Sequence, residues 1–243
     1  MKTALVLHGW PQSFATEHPL NKLLTNLGYE ILNPDLFGSD NLLNQKILND
    51  WVTKKLGNRK LDLIVGISMG GFLIPELAKE LPFSKLIFIA SGARFAPEVK
   101  RLKSVVGFVQ TKPGMSIARL LINIPTVLFE FVYKIFDPFS GDESQHQNYI
   151  DDMRLNLVAI KNIPVKKHAE IAKIVTQTDN RELLKNLNNS SLILSGKKDL
   201  LMPVVQGREL QNCLKNSKLV IIDSIHFNVL NDTALGEIGK FLK

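Results

Sequence analysis

The sequence predicts an α/β protein with a mostly parallel sheet of about six strands and helices on both faces. Two observations lead to this fold class. Short apolar runs recur along the chain, and such runs are typical of strands that a parallel sheet buries on both faces. Between them lie segments with apolar residues three and four positions apart, which is the spacing of amphipathic helices. This alternation favours a parallel sheet with right-handed crossovers.

The composition indicates one domain, because 243 residues with 45% hydrophobic content can bury a full core. The first apolar run, Ala4 to Leu7, is too short for the core of a signal peptide, so we expect a cytoplasmic protein. The single cysteine, Cys213, agrees with that location and is interpreted as a packing residue of a helix. The net charge of +7 comes from scattered lysine pairs without interleaved aromatic residues, which argues against a nucleic-acid partner.

Three strands and two helices are predicted in the first part of the chain. Each helix stops at a glycine, Gly28 or Gly57, the residue type that most readily follows a helix. The predicted bounds are strand Thr3–Leu7, helix Pro19–Leu27, strand Tyr29–Asn33, helix Leu42–Leu56 and strand Leu61–Val65.

A third helix begins near Met69 and continues to Leu81, and a fourth strand, Lys85 to Ala90, follows it. Pro75 lies inside this helix, where it removes a backbone hydrogen bond and crowds the carbonyl group of Gly71. We therefore predict a kink or a locally widened turn at Pro75.

The 100 residues from Ser91 to Ser190 lack a clear strand and helix alternation, although one crossover needs only about a dozen residues. We predict a helical cap, residues 95–178, inserted before the last two strands of a core domain formed by residues 1–94 and 179–243. Charged residues and a proline interrupt its most apolar part, Ile117 to Phe136. A buried or interfacial helical pair is therefore favoured over an integral membrane span.

Six phenylalanines lie in the predicted cap or at its entrance: Phe95, Phe108, Phe129, Phe131, Phe136 and Phe139. Two interpretations stay open for them. They pack the cap on itself and on the sheet, or some of them line an acyl-binding cavity, since ligand pockets are mostly apolar.

The parallel pattern returns after the insertion. Asp179 is predicted to cap a short helix that runs to Leu187, because Glu182 follows it by three residues. The remaining predicted elements are strand Leu192–Leu194, a helix that starts at Pro203, strand Lys218–Ile222 and a final helix from about Leu230 to Leu242.

A nucleophile is predicted at Ser68, in the sequence Gly66-Ile67-Ser68-Met69-Gly70 between a strand and a helix. Side chains at Gly66 and Gly70 would crowd such a sharp turn, so glycine alone leaves room. The first amides of the helix point at the reacting group and favour negative charge there.

Three polar residues follow separate predicted strands: Ser68 the third, Asp199 the fifth and His226 the sixth. The carboxyl ends of parallel strands are where open sheets place their sites. We therefore predict Ser68 as nucleophile, His226 as its general base and Asp199 as the carboxylate that orients the histidine. Asp223, three residues before His226, is the alternative carboxylate.

The other histidines are not predicted to be catalytic. His8 lies in the turn after the first strand and is interpreted as structural, whereas His18, His146 and His168 are predicted to be exposed. No residues have the spacing of metal ligands, and no glycine-rich loop fits a phosphate cradle, so we expect neither a metal nor a cofactor.

These motifs resemble the α/β-hydrolase superfamily over nearly the whole chain outside the cap. The chain is similar to compact bacterial carboxylesterases, including the pimeloyl-carrier methyl esterase type, which carry a helical cap between the same two strands. The segments that carry the resemblance are His8-Gly9-Trp10, Gly66 to Gly71, Asp179 to Asp199 with Pro203 behind it, and His226. Ile225 departs from the pattern, since such enzymes often have glycine before the histidine.

The resemblance implies the α/β-hydrolase fold and an oxyanion hole formed by the backbone amides of Trp10 and Met69. The sequence agrees at one point, because Pro11 has no amide hydrogen to donate whereas Trp10 has one. The implied reaction is hydrolysis of small carboxylic esters with an apolar acyl group, through an acyl-enzyme on Ser68 and without a cofactor.

Several alternatives stay open. A thioesterase, an acyl-carrier ester hydrolase, a carbon–carbon hydrolase or a perhydrolase would use the same three residues, because specificity resides in the pocket contacts. A small-ligand-binding protein with little turnover is also compatible with the motifs. The basic residues Lys100, Arg101 and Lys103 are either a solvated helix face or a docking site for an acidic acyl carrier protein.

Overall fold

Six parallel strands form the central sheet of the structure, a computed structural model that describes residues 2–11, 18–98, 100–125, 127–128, 130–131 and 143–243. The strands are β1 Lys2–Leu7, β2 Tyr29–Leu32, β3 Leu61–Ile67, β4 Phe83–Ile89, β5 Ser190–Gly196 and β6 Ser217–Ile222. Their order is β2-β1-β3-β4-β5-β6, and every neighbouring pair is parallel. The predicted parallel sheet is confirmed.

Helices connect these strands. They are α1 Pro19–Asn26, α2 Gln45–Leu56, α3 Met69–Glu80, α4 Lys100–Phe108, α5 Lys112–Ile122, α6 Glu143–Asn162, α7 Val165–Gln177, α8 Arg181–Leu184, α9 Val204–Cys213 and α10 Asp232–Leu242. A short 3₁₀ helix, His226–Asn228, lies between β6 and α10.

The core has two layers, one on each face of the sheet. Successive side chains of β1 alternate between them: Leu5 and Leu7 pack with α2, α3 and α9, whereas Ala4 and Val6 pack with α1 and α10. This is the period of two that a strand imposes on its side chains. Cys213 packs in the first layer, as expected. Helices therefore cover both faces of the sheet, as predicted.

One helix, α2, differs from expectation at its start, and α3 contains the proline that the sequence places there. α2 begins at Gln45 and not at Leu42, because the side chain of Asn44 accepts a hydrogen bond from the amide of Ile47 at 3.3 Å and so caps the helix. α3 continues through Pro75, so the proline does not end the helix. The kink at this position stays a prediction.

The predicted helix cap at Asp179 is wrong by one residue. α8 begins at Arg181, with Asn180 at the cap position, and ends one turn earlier than predicted. The reason is that Asn180 is anchored to the core. Its side-chain amide donates to the carbonyl oxygen of Phe72 at 2.9 Å, and its backbone amide donates to that of Ala93 at 2.8 Å.

Between β4 and β5, the described residues include five helices, α4, α5, α6, α7 and α8. We call residues 95–178 the insertion. Its two ends meet at the core, where Arg94 and Asp179 form an isolated antiparallel bridge. The described helices of the chain include none with both the length and the hydropathy to cross a membrane.

The phenylalanines of the insertion have different environments. Phe95 is buried and packs with Phe72, Leu102 and Met202, which agrees with the packing interpretation. Two others, Phe108 and Phe131, are exposed. The predictions for three more concern positions outside the described residues: Phe129, Phe136 and Phe139.

Candidate active site

Ser68 occupies a strained turn between β3 and α3. Its backbone angles, φ 48° and ψ −115°, are of a kind that costs on the order of 1–3 kcal/mol for a residue with a side chain. Its amide donates to the carbonyl oxygen of Ile89 at 2.8 Å and so ties the turn to the end of β4. Although Ser68 stands at the cap position of α3, its side chain makes no capping bond. Its hydroxyl oxygen lies instead 3.0 Å from Nε2 of His226.

Glycines make this turn possible, because the backbones of three segments meet there. A Cβ atom on Gly66 would lie 2.6 Å from Cα of Gly71, and one on Gly70 would lie 2.2 Å from the carbonyl oxygen of Leu7. Real Cβ atoms essentially never approach other atoms closer than 3.0 Å. The close approach of α3 to β1 and β3 therefore requires glycine at both motif positions, as the sequence predicts.

Asp199 follows β5 and is 2% exposed. Its Oδ1 atom accepts hydrogen bonds from the amides of Leu201 at 2.9 Å and Met202 at 2.7 Å. Its Oδ2 atom lies 2.7 Å from Nδ1 of His226. Both carboxylate oxygens are thus engaged, and the group is held in one orientation.

Backbone hydrogen bonds join the loops after β5 and β6 and bring their side chains together. The amide of Lys197 donates to the carbonyl oxygen of Ile222 at 2.7 Å, and that of Lys198 donates to Ser224 at 3.0 Å. Ile225 has φ −84° and ψ 174°, an extended conformation that any residue adopts. Its departure from the glycine of the resembling enzymes therefore requires no change in the loop.

The imidazole of His226 connects the other two side chains and is buried. Its Nδ1 atom faces a carboxylate, which accepts hydrogen bonds, so the ring hydrogen is assigned to Nδ1. Nε2 then accepts the hydroxyl hydrogen of Ser68. The structure thus brings the three predicted residues into one hydrogen-bonded row, Ser68–His226–Asp199. We call it the Ser-His-Asp row.

Asp223, the alternative carboxylate, lies away from this row. Its side chain is 71% exposed and pairs with Lys198 at 3.4 Å. The geometry therefore favours Asp199 as the partner of His226.

Two of the remaining histidines support the fold. His8 is buried and joins two loops: its Nδ1 atom lies 2.8 Å from the carbonyl oxygen of the next residue, and its Nε2 atom accepts the amide of Leu36 at 2.9 Å. This is the structural role that the sequence predicts. His18 is half-buried rather than exposed, because its Nδ1 atom accepts the amide of Leu20 and caps α1. His146 is exposed, as predicted.

Residues 8–11, which we call the β1 loop, lie against the nucleophile turn. A Cβ atom on Gly9 would lie 3.2 Å from Cβ of Ser68. Trp10 follows directly, so its backbone amide belongs to a segment that adjoins the serine. Met69 is the first residue of α3, and the first amides of a helix have no carbonyl partner within the helix. Both predicted oxyanion donors are therefore in segments next to Ser68.

The prediction that His168 is exposed is wrong. This residue is 5% exposed, its Nδ1 atom accepts a hydrogen bond from Nε1 of Trp10 at 3.1 Å, and its Nε2 atom donates to the carbonyl oxygen of Ile160 at 3.0 Å. Burial lowers the pKa of His168 and outweighs the backbone hydrogen bonds that raise it. A signal for this position was present, because His168, Ile171 and Ala172 share one stripe of α7 at helical spacing.

The sequence matches no family model and no curated protein. Solved structures match over the whole chain. The enol-lactonase from Burkholderia xenovorans LB400 has a TM-score of 0.74 and 17% identity, over 99% of this chain and 91% of that one. A thermophilic esterase from Thermogutta terrifontis has a TM-score of 0.72 and 21% identity, over 100% and 89%. An esterase from Exiguobacterium antarcticum has a TM-score of 0.71 and 17% identity, over 100% and 92%. These similarities confirm the predicted fold class.

We predict that Gly70→Ala destabilises the protein, because the new Cβ atom would lie 2.2 Å from the backbone of Leu7. Overpacking of this kind costs about 1–3 kcal/mol. The matched control is Gly236→Ala in α10, where a Cβ atom meets nothing within 4 Å and alanine is favoured by up to about 1 kcal/mol. Chemical denaturation measures both free energies of unfolding. Equal stability of the two variants would contradict the close approach of α3 to β1.

We predict that His168 makes the free energy of unfolding depend on pH below its ordinary pKa of 6.5. Because the pKa is lowered in the folded protein, the unfolded chain binds the proton first, and stability present above pH 6.5 falls as the pH decreases. One such group contributes a slope of at most about 1.4 kcal/mol per pH unit.

Denaturation of wild-type protein and His168→Asn between about pH 7.5 and about pH 5 isolates this contribution, since the other titrating groups are shared. The variant should lose less stability on acidification than the wild type. Parallel pH profiles for the two proteins would contradict the prediction.

Proposed function

We propose that this chain, which has the α/β-hydrolase fold, is a serine hydrolase that cleaves carboxylic esters. The observation that carries the proposal is the Ser-His-Asp row, with distances of 3.0 Å between Ser68 and His226 and 2.7 Å between His226 and Asp199. The structures that the chain resembles include an enol-lactonase and two esterases, which agrees with this class of reaction.

In the proposed first step, Oγ of Ser68 attacks the carbonyl carbon of the ester while Nε2 of His226 accepts the hydroxyl proton. A serine hydroxyl is a poor nucleophile at neutral pH, so this transfer makes the attack possible. Asp199 keeps the ring hydrogen on Nδ1 and stabilises the imidazolium. The bond to the leaving alkoxide then breaks, His226 protonates that oxygen, and the acyl group remains on Ser68.

In the proposed second step, water hydrolyses the acyl-enzyme, and Ser68 and His226 act from the positions that they hold in the first step. His226 accepts a proton from the water as its oxygen attacks the acyl carbonyl carbon, and returns the proton to Oγ of Ser68 as the carboxylic acid leaves. The serine, the histidine and water supply every nucleophile and proton that the two steps need.

The negative charge on the carbonyl oxygen is stabilised by the backbone amides of Met69 and Trp10 in this proposal. The Met69 amide lies at the positive end of the α3 dipole, where an anion is favoured. The Trp10 amide lies in the β1 loop, next to Gly9 and therefore close to Ser68. Loss of one such donor typically lowers kcat by about 10²- to 10³-fold.

The acyl group of the proposed substrate is apolar, as the resemblance implies, and we assign it to the side of the Ser-His-Asp row where an apolar cluster lies, although the members of that cluster are buried against one another. The cluster consists of Phe72, Phe95, Leu102 and Met202. It joins α3, α4 and the loop after β5, and the amide of Met202 binds Asp199. Since Phe95 and Leu102 belong to the insertion, the insertion acts as a cap over the acyl group in this proposal.

An ester or thioester bound to an acyl carrier protein is the second candidate substrate, favoured by the basic surface of α4. Arg101 and Lys103 are exposed there, and α4 contains no acidic residue. Charge complementarity of this kind steers an acidic partner to a surface. The chemistry at Ser68 is the same for both candidates.

We predict that Asp199→Asn lowers kcat by about 10⁴-fold, because an amide no longer selects the required tautomer of His226. The matched control is Asp223→Asn, since that side chain is 71% exposed and outside the row; its kcat should stay within about twofold of wild type. Steady-state hydrolysis of p-nitrophenyl butyrate measures both. A larger loss in the Asp223 variant would reverse the assignment of the carboxylate.

We predict that kcat/KM on p-nitrophenyl esters rises from acetate to medium-chain acyl groups, because each buried CH₂ group contributes about 0.8 kcal/mol. Ser68→Ala should lose both turnover and labelling by a fluorophosphonate. A preference for short chains would favour a packing role for the apolar cluster. Labelling of the wild type without ester turnover would favour a small-ligand-binding protein instead.

A further inference from the structure

The insertion contacts the β1 loop through a hydrogen bond between His168 and Trp10. We propose that His168 is a positioning residue for the oxyanion donor: it holds the side chain of Trp10 from α7 and thereby fixes the backbone amide of Trp10 beside Ser68. This inference rests on the proposed function, because it assigns His168 a role in that reaction.

His168 links three segments of the chain through both of its ring nitrogens. Nδ1 accepts from Nε1 of Trp10 at 3.1 Å, and Nε2 donates to the carbonyl oxygen of Ile160 in α6 at 3.0 Å. The imidazole and indole rings also pack edge to face, with centroids 5.7 Å apart. Only the neutral ring with its hydrogen on Nε2 satisfies both partners, and the burial of His168 favours that neutral form.

In the contact between His168 and Trp10, the histidine is the buried and fixed partner. His168 is 5% exposed, whereas Trp10 is 37% exposed. An indole with this exposure is restrained less by packing than a buried one, so the hydrogen bond to a fixed acceptor has a large share in orienting it. The bond also stabilises the acceptor, Nδ1 of His168, because leaving a buried polar atom without a hydrogen-bond partner costs free energy.

The β1 loop is anchored to the core at its other end by His8. Nδ1 of His8 bonds the carbonyl oxygen of Gly9 at 2.8 Å, and Nε2 accepts the amide of Leu36 at 2.9 Å. The Trp10 amide thus lies between one anchor in the core and one in the insertion. Without His168 the anchor in the insertion is lost, and a misplacement of about 1 Å in a reacting group can cost about 10²-fold in rate.

The test compares two amide substitutions of His168: one keeps its hydrogen bond with Trp10, and the other keeps its hydrogen bond with Ile160. Asparagine places an acceptor near the position of Nδ1 and keeps the bond to Trp10, whereas glutamine reaches the position of Nε2 and keeps the bond to Ile160. We expect His168→Gln to lower kcat on p-nitrophenyl butyrate by about 10- to 100-fold with KM changed less than about threefold. The kcat of His168→Asn should stay within about threefold of wild type.

Stability measurements separate positioning from a purely structural role. Each variant loses one hydrogen bond, so both should unfold at somewhat lower denaturant concentration than wild type. A structural role would therefore affect the two variants alike, and equal kcat values for His168→Gln and His168→Asn would overturn the inference.

A double-mutant cycle with Trp10→Phe tests whether the two side chains act through one bond. Phenylalanine removes the Nε1 donor and keeps the backbone amide of residue 10. We expect His168→Gln to lower kcat little further in the Trp10→Phe background, because both changes remove the same interaction; fully additive losses would overturn the inference.

The outcome for wild-type protein distinguishes this inference from the proposed function. If the wild type hydrolyses esters and His168→Gln retains its kcat, the positioning role fails while the serine hydrolase proposal stands. If the wild type reacts with a fluorophosphonate but turns over no ester, the proposed function fails, and the inference fails with it.

Discussion

The close approach of α3 to the ends of β1 and β3 is the constraint on which the site depends. Gly66 and Gly70 permit it, because a Cβ atom at either position would overlap neighbouring backbone. The approach leaves Ser68 in a strained conformation, with its hydroxyl directed at His226 rather than at the end of the helix. Strain of this kind persists only where the surroundings enforce it. Here the amide of Ser68 is tied to Ile89 and the following residue is buried.

Hydrogen-bond partners divide the histidines of the site into two kinds. His226 lies between a carboxylate and a hydroxyl, so a proton can pass to its Nε2 atom while the carboxylate stabilises the resulting charge. The hydrogen bonds of His8 join it to backbone groups, with the exposed carboxylate of Asp35 4.0 Å from its Nε2 atom, and those of His168 join it to a backbone carbonyl and an indole N–H. The hydrogen-bonded groups among these neither take nor give protons at ordinary pH, so these two histidines hold segments in place. In the proposed reaction, the groups that face the two ring nitrogens therefore decide whether a histidine transfers protons or holds segments together.

Local sequence patterns predict the features of this structure that depend on residues close together in the sequence. The turn at Ser68 follows from its flanking glycines, and the positions of Asp199 and His226 follow from their places after strands. The environment of His168 follows only in part: its place on an apolar stripe indicates burial, but its partner Trp10 is 158 residues away in sequence, and only the packing of the insertion brings the two together. The helix start after Asn180 was missed for a related reason: Asp179 is an equally good capping residue by type, and Asn180 is held by long-range hydrogen bonds rather than by a capping bond to the helix.

The insertion leaves the core and re-enters it at one place, where Arg94 pairs with Asp179. The entropic cost of closing a loop grows only with the logarithm of its length. The stability of the sheet therefore depends little on how many residues lie between Arg94 and Asp179. Helices of another length or composition can be exchanged between the same two residues without altering strand order or register. Under the proposed function, the insertion would set which molecules are accepted, while the sheet and its loops would hold the groups that break the bond.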